Sequence, residues 1–147
     1  MTSAARPVVI LLVEDDPGDV RLTREALKDG KLRNELHAVS DGPSALAFLQ
    51  REPPFEDAPR PDLIFLDLNL PGMHGTEVLA RIKSDADLVA IPVTVLTTSD
   101  ADEDITRSYR LHANAYVTKP VGLEEFLEVV RQLDEFWVQI VRLPRES

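Results

Sequence analysis

Short apolar runs alternate with amphipathic segments along the chain, and this alternation limits the possible folds more than any other feature. Val8 to Val13 is an unbroken run of valine, isoleucine and leucine, which is typical of a strand buried on both faces. Shorter runs occupy residues 63–66, 92–96 and 115–117, and a weaker one occupies 36–39. Strands that alternate with helices of about 10–15 residues predict an α/β fold, with a parallel sheet and helices on both faces.

Helix start signals follow the predicted strands. Asp16 is a suitable N-cap and Pro17 a suitable first helical residue, because the N–H that proline lacks would have no helical partner there. Four further helices are predicted to begin near Gly42, Thr76, Asp100 and Leu123. The pattern amounts to five βα units without an internal repeat.

Length and composition narrow the class of protein. The 147 residues suit one domain, which we expect to span 1–147 with a core at about 8–134 and a C-terminal extension and tail at 135–147. The net charge of −10 disfavours binding to nucleic acid or to an anionic membrane. The lack of cysteine excludes disulfides and thiolate sites, and no apolar run approaches the roughly 18 residues of a membrane span. We therefore expect a cytoplasmic protein.

Charged or hydroxyl-bearing residues follow four of the five predicted strands. Glu14 and Asp15 follow the first strand, Asp67 the third, Thr97 the fourth and Lys119 the fifth. In a sheet of this type the reactive site lies at the carboxyl ends of the strands. If the first and third strands are neighbours, three carboxylates converge there and repel one another unless a cation lies between them. Ligands that are all oxygen favour Mg²⁺.

The lysine and the threonine suit a phosphoryl group. The Lys119 ammonium can neutralise the phosphoryl oxygens while the Thr97 hydroxyl donates a hydrogen bond. A carboxylate can then be the nucleophile that forms an aspartyl-phosphate. The competing interpretation is that these acidic residues are helix N-caps, a common role for Asp after a strand. The convergence of different side chains at four strand ends favours the phosphoryl acceptor.

Four stretches of the sequence carry a resemblance to a known family, and they are Leu11 to Thr23, Asp62 to Gly75, Ile91 to Ser99 and Asn114 to Pro120. Together they resemble the receiver domain of two-component response regulators, over about residues 8–134. The resemblance implies a doubly wound sheet of five parallel strands in the flavodoxin-like order 2-1-3-4-5. It also implies a signalling protein that catalyses only its own phosphorylation and dephosphorylation.

The resemblance assigns roles to the residues at the strand ends. Asp67 matches the phosphoacceptor. Glu14 and Asp15 match the acid pair that binds Mg²⁺ together with Asp67 and the main-chain carbonyl of Asn69. Lys119 matches the lysine that pairs with a phosphoryl oxygen. The Glu-Asp pair is a common variant of Asp-Asp in this family.

Other positions match residues that switch or time the signal. Thr97 matches the switch hydroxyl, and Tyr116 matches the aromatic residue whose ring turns inward when the threonine moves. Asn69 lies two positions past Asp67, and Ser99 lies two positions past Thr97. We expect both to flank the phosphoryl group and to set its lifetime. The family also implies a cis peptide bond between Lys119 and Pro120.

Two segments are most similar to the small single-domain regulators that are paired with phytochrome-type histidine kinases. They are the proline-rich segment 51–61 and the run Gly18 to Thr23. We therefore expect a histidine kinase as the partner, and the resemblance names a phytochrome as the candidate. Because few residues follow Lys119, we expect the regulator to act by docking to an unknown downstream protein.

The last predicted helix is apolar over more than one face. The stripe expected to pack on the sheet consists of Phe126, Val130, Leu133 and Trp137. A flanking stripe consists of Val129, Phe136 and Ile140. The excess of apolar surface predicts a homodimer or partner interface at Val129, Phe136, Trp137 and Ile140. The alternative is that the tail folds back on its own domain.

Two further functions remain open from the sequence alone. One is a phosphatase or phosphotransferase that forms an aspartyl-phosphate on the way to a small-molecule product. Such enzymes usually have a second acidic residue two positions past the nucleophile, where this chain has Asn69, and a cap insertion over the substrate. The other is a degenerate receiver that acts only as an interaction module, but the presence of all five strand-end residues argues against it.

Overall fold

The computed structural model describes residues 7–28 and 34–136. Five strands and five helices alternate within these residues, as the sequence predicts. The strands are β1 (Val8–Val13), β2 (Asn34–Val39), β3 (Leu63–Leu66), β4 (Val93–Thr97) and β5 (Ala115–Thr118). The helices are α1 (Pro17–Lys28), α2 (Gly42–Gln50), α3 (Gly75–Lys83), α4 (Asp102–Arg110) and α5 (Leu123–Asp134).

The strands form one parallel sheet in the order β2-β1-β3-β4-β5, which confirms the doubly wound fold. The register places Val13 of β1 beside Leu66 of β3. The residues that follow, Glu14 and Asp67, therefore leave the sheet at the same edge. Thr97 is the last residue of β4 and ends at that edge too, because all the strands run in one direction.

Side chains of the sheet point alternately to two faces, and helices cover both. On one face, buried residues of β1 and β3 pack against α1 and α5. The strands contribute Ile10, Leu12, Leu63 and Phe65 to this layer, and the helices contribute Ala26, Leu27, Phe126 and Val130. On the other face, α2 and α3 pack over a second set, which includes Leu11, Val13, Ile64, Leu66, Phe48, Val78, Leu79 and Ile82. Burial of each large apolar side chain contributes about 1.5–3 kcal/mol, so the central strands form a rigid support for the residues at their ends.

Side-chain caps start the first two helices where the sequence predicts them. Asp16 Oδ1 accepts the backbone N–H of Gly18 at 2.8 Å, and α1 begins at Pro17. Asp41 Oδ1 accepts the backbone N–H of Ser44 at 2.7 Å at the start of α2. Each cap satisfies one of the donors that a helix leaves without a partner.

The starts of α3 and α4 differ from the prediction by one or two residues. The side chain of His74, which is a less usual cap, accepts the N–H of Thr76 through Nδ1 at 3.2 Å, and α3 begins at Gly75. Helix α4 begins at Asp102, and its N-cap, Ala101, makes no side-chain capping bond. The three acidic residues in its first turn instead stabilise the helix, because their negative charges lie at the positive end of the helix dipole.

Helix α5 begins at Leu123, as predicted, and residues 135–136 continue it as a wider turn. The prediction that this helix runs past Trp137 falls outside the described residues. Within residues 7–28 and 34–136, no helix is long and apolar enough to cross a lipid bilayer.

Candidate functional site

Three carboxylates meet at the carboxyl edge of the sheet. Glu14 and Asp15 follow β1 and Asp67 follows β3, and one oxygen of each lies within 4.8 Å of the other two. Glu14 and Asp67 are buried whereas Asp15 is exposed. Oxygen atoms at this spacing fit a hard divalent cation such as Mg²⁺, which binds a few carboxylates and keeps several water ligands. The structure thus brings together the acidic residues that the sequence predicts as metal ligands.

The Lys119 ammonium lies against this acidic group. Its Nζ donates to Glu14 Oε1, to Asp67 Oδ2 at 3.2 Å and to Asp19 Oδ2 at 2.9 Å. The Lys119 side chain is 4% exposed, so its charge is almost removed from water and is compensated by the carboxylates. The predicted convergence of the fifth strand end with the first and third is therefore observed.

Asp19 is a member of the site that the sequence reasoning missed. It lies in the first turn of α1, where an acidic residue is usually a partner of the helix dipole. The available signal was its position, because a residue one turn after the acid pair lies at the same edge of the sheet. The contact with Lys119 joins residues 100 positions apart in the chain.

Burial and charge shift the pKa values of these groups in different directions. Burial raises the pKa of Glu14 to about 7, against the lowering effect of Lys119, and the Asp67 charge adds to the rise. Burial would also raise the pKa of Asp67, but the Lys119 ammonium, the Asn69 N–H and the Thr97 hydroxyl together hold it below its ordinary value. Burial would lower the pKa of Lys119, but its bonds to Glu14 and Asp19 raise it. Lys119 and Asp67 are thus charged at neutral pH.

Two groups favour the ionised form of the Asp67 carboxylate. The backbone N–H of Asn69 donates to Oδ1 at 3.1 Å, and the hydroxyl of the fully buried Thr97 lowers the pKa of the carboxyl group. Thr97 Oγ1 in turn accepts the N–H of Ser99 at 3.5 Å. The Asp67 side chain is only 8% exposed, and the exposed residues beside it, Asp15 and Asn69, mark the side open to solvent.

Gly75 is required by the close approach of α3 to the site. A Cβ atom at this position would lie 2.3 Å from the carbonyl oxygen of Asp67 and 2.6 Å from Cα of Leu68. Both are backbone atoms that cannot move independently of the strand end. A side chain at residue 75 would therefore displace the loop that carries Asp67.

Comparison with known proteins agrees with this geometry. Residues 10–131 match the response regulator receiver domain. The chain belongs to the response regulator receiver family. A receiver is a signalling protein.

The most similar relatives of this receiver include cyanobacterial regulators. Response regulator Rcp1 of Synechocystis sp. is 49% identical over 138 residues, which cover 94% of both chains. The Mn²⁺-bound crystal structure of Rcp1 has a TM-score of 0.92 and covers 95% of this chain and all of the other. The structure of the phosphorylated cyanobacterial phytochrome response regulator RcpA has the same TM-score and coverage at 46% identity. The receiver is therefore similar over nearly its whole length to these two regulators, one of which is a phytochrome response regulator.

The predicted switch residue Tyr116 is hydrogen-bonded to the loop that follows Thr97. The Tyr116 hydroxyl donates to the carbonyl oxygen of Ser99 at 2.9 Å, and Tyr116 packs against the core on the sheet face that α2 and α3 cover. The Ser99 hydroxyl donates to Asp104 Oδ2 at 2.6 Å. Burial raises the pKa of Tyr116, and the nearby carboxylates of Asp104 and Asp100 add to the rise. Ser99 is therefore held from two sides, and Tyr116 contacts the loop that follows Thr97.

One expectation for this receiver is wrong. The peptide bond between Lys119 and Pro120 is trans, and the cis bond in the described part of the chain joins Pro53 and Pro54. The trans form is the intrinsically favoured one for a bond before proline. The Lys119 N–H donates to the Thr97 carbonyl at 2.6 Å, so backbone pairing with the end of β4 directs the lysine to the site without a cis bond.

The predicted interface residues are partly described. Val129 is half-buried against the core between the sheet and α1 and α5, which makes it in part a core residue. Phe136 is 48% exposed at the end of the described chain. Trp137 and Ile140 lie outside the described residues.

Proposed function

We propose that this receiver is a single-domain regulator that accepts a phosphoryl group on Asp67 from a partner histidine kinase in the cytoplasm. The observation that carries the proposal is the position of the Asp67 carboxylate. It is held ionised, next to the Lys119 ammonium and within reach of two other carboxylates. An ionised carboxylate in this setting is a nucleophile with its charge compensation already in place.

In the proposed reaction, a carboxylate oxygen of Asp67 attacks the phosphorus of a phosphohistidine in line. The new P–O bond forms as the P–N bond breaks, and the electron pair leaves on the histidine nitrogen. The Lys119 ammonium neutralises charge on a phosphoryl oxygen, and the Thr97 hydroxyl donates to another. Water later attacks the phosphorus, which releases phosphate and restores the carboxylate.

The acidic group would hold a divalent cation during this exchange. We propose Mg²⁺, with ligands from Glu14, Asp15, Asp67 and the main-chain carbonyl of Asn69, of which Glu14 would act through water. The support is the all-oxygen donor set and its spacing. When bound, the cation supplies charge neutralisation on the phosphoryl oxygens. Asn69 and Ser99 would control the access of water to the phosphoryl group and hence its lifetime.

The signal would leave the receiver through its surface. Phosphorylation adds about −1.5 to −2 charges, and Thr97 would move toward the added group. Tyr116 is hydrogen-bonded to the loop that follows Thr97, so it would transmit the change to α4 and β5.

We propose a homodimer or a downstream partner on a surface that contains Val129, Phe136, Trp137 and Ile140. The likeness to phytochrome-associated regulators supports a phytochrome as the kinase.

Incubation with phosphoramidate and Mg²⁺ tests the central step. We expect one acid-labile phosphoryl group per chain by intact-mass measurement, and none in Asp67→Asn. Asp87→Asn is the matched control, because it removes an exposed aspartate from a surface loop. A phosphoryl group that persists in Asp67→Asn would contradict the assignment. Many turnovers of a free phosphomonoester would favour a phosphatase instead.

A further inference from the structure

Asp19 contributes a carboxylate to the site from a different direction than the strand ends. Its Oδ2 lies 2.9 Å from Lys119 Nζ, and its side chain is 28% exposed whereas that of Lys119 is 4% exposed. The contact is therefore an ion pair between a partly solvated carboxylate and a buried ammonium. Such pairs are stronger than surface ion pairs because the ammonium has little access to water.

The start of α1 fixes the position of Asp19. The Asp16 cap accepts the N–H of Gly18 at 2.8 Å and that of Asp19 at 3.4 Å. The carbonyl of Asp19 accepts the hydroxyl of the buried Thr23 at 2.7 Å. The backbone that carries this carboxylate is thus bonded on both sides, and the ion pair with Lys119 needs little additional ordering.

The three N–H donors of the Lys119 ammonium have three different carboxylate acceptors. Glu14 and Asp67 are two of them, and both also belong to the group of oxygens that fits a cation. Asp19 is the third acceptor, and it lies outside that group. A cation and a phosphoryl group would engage the carboxylates of Glu14 and Asp67. The hydrogen bond from Lys119 to Asp19 would remain.

We propose that Asp19 is a positioning residue that keeps the Lys119 ammonium beside Asp67 while the other two carboxylates are engaged by the cation and the phosphoryl group. This inference rests on the proposed role of Asp67 as phosphoacceptor. Without Asp19, the long lysine side chain would regain rotamer freedom and would be repelled by the cation. With Asp19, one donor stays anchored and the others remain available to a phosphoryl oxygen.

The competing explanation is that Asp19 serves only the dipole of α1. In that case its removal would weaken the helix slightly and would leave Lys119 in place. The two explanations differ in what happens to the lysine, so the test must observe Lys119 directly. Asp19→Asn keeps the size of the side chain and removes its charge. The matched control is Glu25→Gln, which removes an exposed charge from the same helix, where Glu25 pairs with Lys28 at 3.9 Å.

The first measurement is the NMR signal of the Lys119 ammonium in metal-free protein, assigned with Lys119→Met. Buried, hydrogen-bonded ammonium groups exchange their protons slowly enough to be observed. Lys83 is an internal reference, because its Nζ donates to Val89 O, Ile91 O and Asn114 Oδ1 at 2.8–3.2 Å, away from the site. We expect Asp19→Asn to shift or broaden the Lys119 signal and to leave the Lys83 signal unchanged.

The second measurement is the rate constant for phosphorylation by phosphoramidate at saturating Mg²⁺. We expect Asp19→Asn to lower it about tenfold, the effect of one lost charged hydrogen bond. Glu25→Gln should stay within about twofold of the unsubstituted protein, and Asp19→Glu should recover part of the loss because it restores the charge. Either an unchanged Lys119 signal or an unchanged rate in Asp19→Asn would overturn the proposal.

The two measurements also separate this inference from the proposed function. If the unsubstituted protein acquires no phosphoryl group at Asp67, the proposed function fails, and the NMR comparison still shows whether Asp19 holds the lysine. If Asp67 is phosphorylated at the same rate in Asp19→Asn, the positioning role fails while the proposed function stands.

Discussion

Glu14 and Asp67 lie at the ends of neighbouring strands and accept hydrogen bonds from the same ammonium group, that of Lys119. Their pKa values are nevertheless shifted in opposite directions. Asp67 also accepts an N–H from Asn69, and this bond and the Thr97 hydroxyl lower its pKa and favour its charged form. Without a cation, the charged form of Asp67 is therefore stabilised at this edge of the sheet, whereas burial destabilises the charged form of Glu14.

The raised pKa of Glu14 predicts that the metal-free protein becomes less stable as pH rises. The folded state binds the Glu14 proton with a pKa of about 7, against the ordinary glutamate pKa of 4.5. Between these values the folded state holds more protons than the unfolded state, so the free energy of unfolding falls with pH. The full loss is about 3 kcal/mol. Urea unfolding in EDTA from pH 5 to pH 8 measures it.

Glu14→Gln provides the comparison for this pH dependence, because glutamine still accepts from Lys119 but does not titrate. We expect the variant to be more stable than the unsubstituted protein at pH 8, with a flatter profile between pH 5 and pH 7. The lowered pKa of Asp67 has the opposite effect and acts only at more acidic pH. Identical slopes in the two proteins between pH 5 and pH 7 would contradict the role given to Glu14.

A divalent cation should relieve the repulsion among the three carboxylates. At a Mg²⁺ concentration 100-fold above Kd, binding to one site of the folded state adds about 2.7 kcal/mol, or about 5–10 °C in Tm for a chain of this length. Asp15→Asn should lose most of this rise and should be no less stable than the unsubstituted protein in EDTA. Asp57→Asn, an exposed loop change, is the control. Scanning calorimetry with and without Mg²⁺ measures both effects, and an equal rise in Asp15→Asn would exclude this residue as a ligand.

Much of the fold could be predicted because apolar runs in a parallel sheet are unambiguous. The bounds of β1 and β3 agree with the runs at Val8–Val13 and Leu63–Leu66, both buried on two faces. β2 and β5, which lie at the edges and are less buried, extend beyond the runs predicted for them. The strand-end rule then brings Glu14, Asp67 and Lys119 together, since it depends only on strand direction.

The missed features depend on side-chain contacts between distant segments. Asp19 is ambiguous in the sequence, because an acidic residue in the first helical turn has a sufficient local explanation. His74 is not among the residues that commonly cap helices, so the start of α3 was expected one residue later. The isomer of the bond before Pro120 was inferred from a family likeness and not from any local signal, and the structure has the other isomer.

Two glycines near the site should respond to substitution for different reasons. Gly75→Ala places a Cβ 2.3 Å from the Asp67 carbonyl oxygen, so we expect it to lower the free energy of unfolding by more than about 4 kcal/mol. Gly72→Ala has open space around its Cβ but a φ of 75°, so it should cost only about 1–2 kcal/mol of backbone strain. Urea unfolding of the two variants measures the difference, and similar losses would show that the close approach at Gly75 is not maintained in solution.

Two buried threonines should respond to valine in opposite directions. Thr94 on β4 is fully buried, and its hydroxyl has no hydrogen-bond partner among the described residues. Thr94→Val keeps the shape of the side chain and removes an uncompensated polar group, so we expect it to raise the free energy of unfolding by about 1 kcal/mol. Thr23 on α1 is equally buried, but its hydroxyl donates to the carbonyl of Asp19 at 2.7 Å.

Thr23→Val is therefore the matched variant, and we expect it to lower the free energy of unfolding by about 1 kcal/mol. The same chemical change thus separates a hydroxyl that is bonded from one that is not. Urea unfolding at pH 7 with excess Mg²⁺ measures both variants under conditions where Glu14 contributes least to the pH dependence. A loss of stability in Thr94→Val equal to that in Thr23→Val would mean that the Thr94 hydroxyl has a partner in solution, such as a bound water molecule.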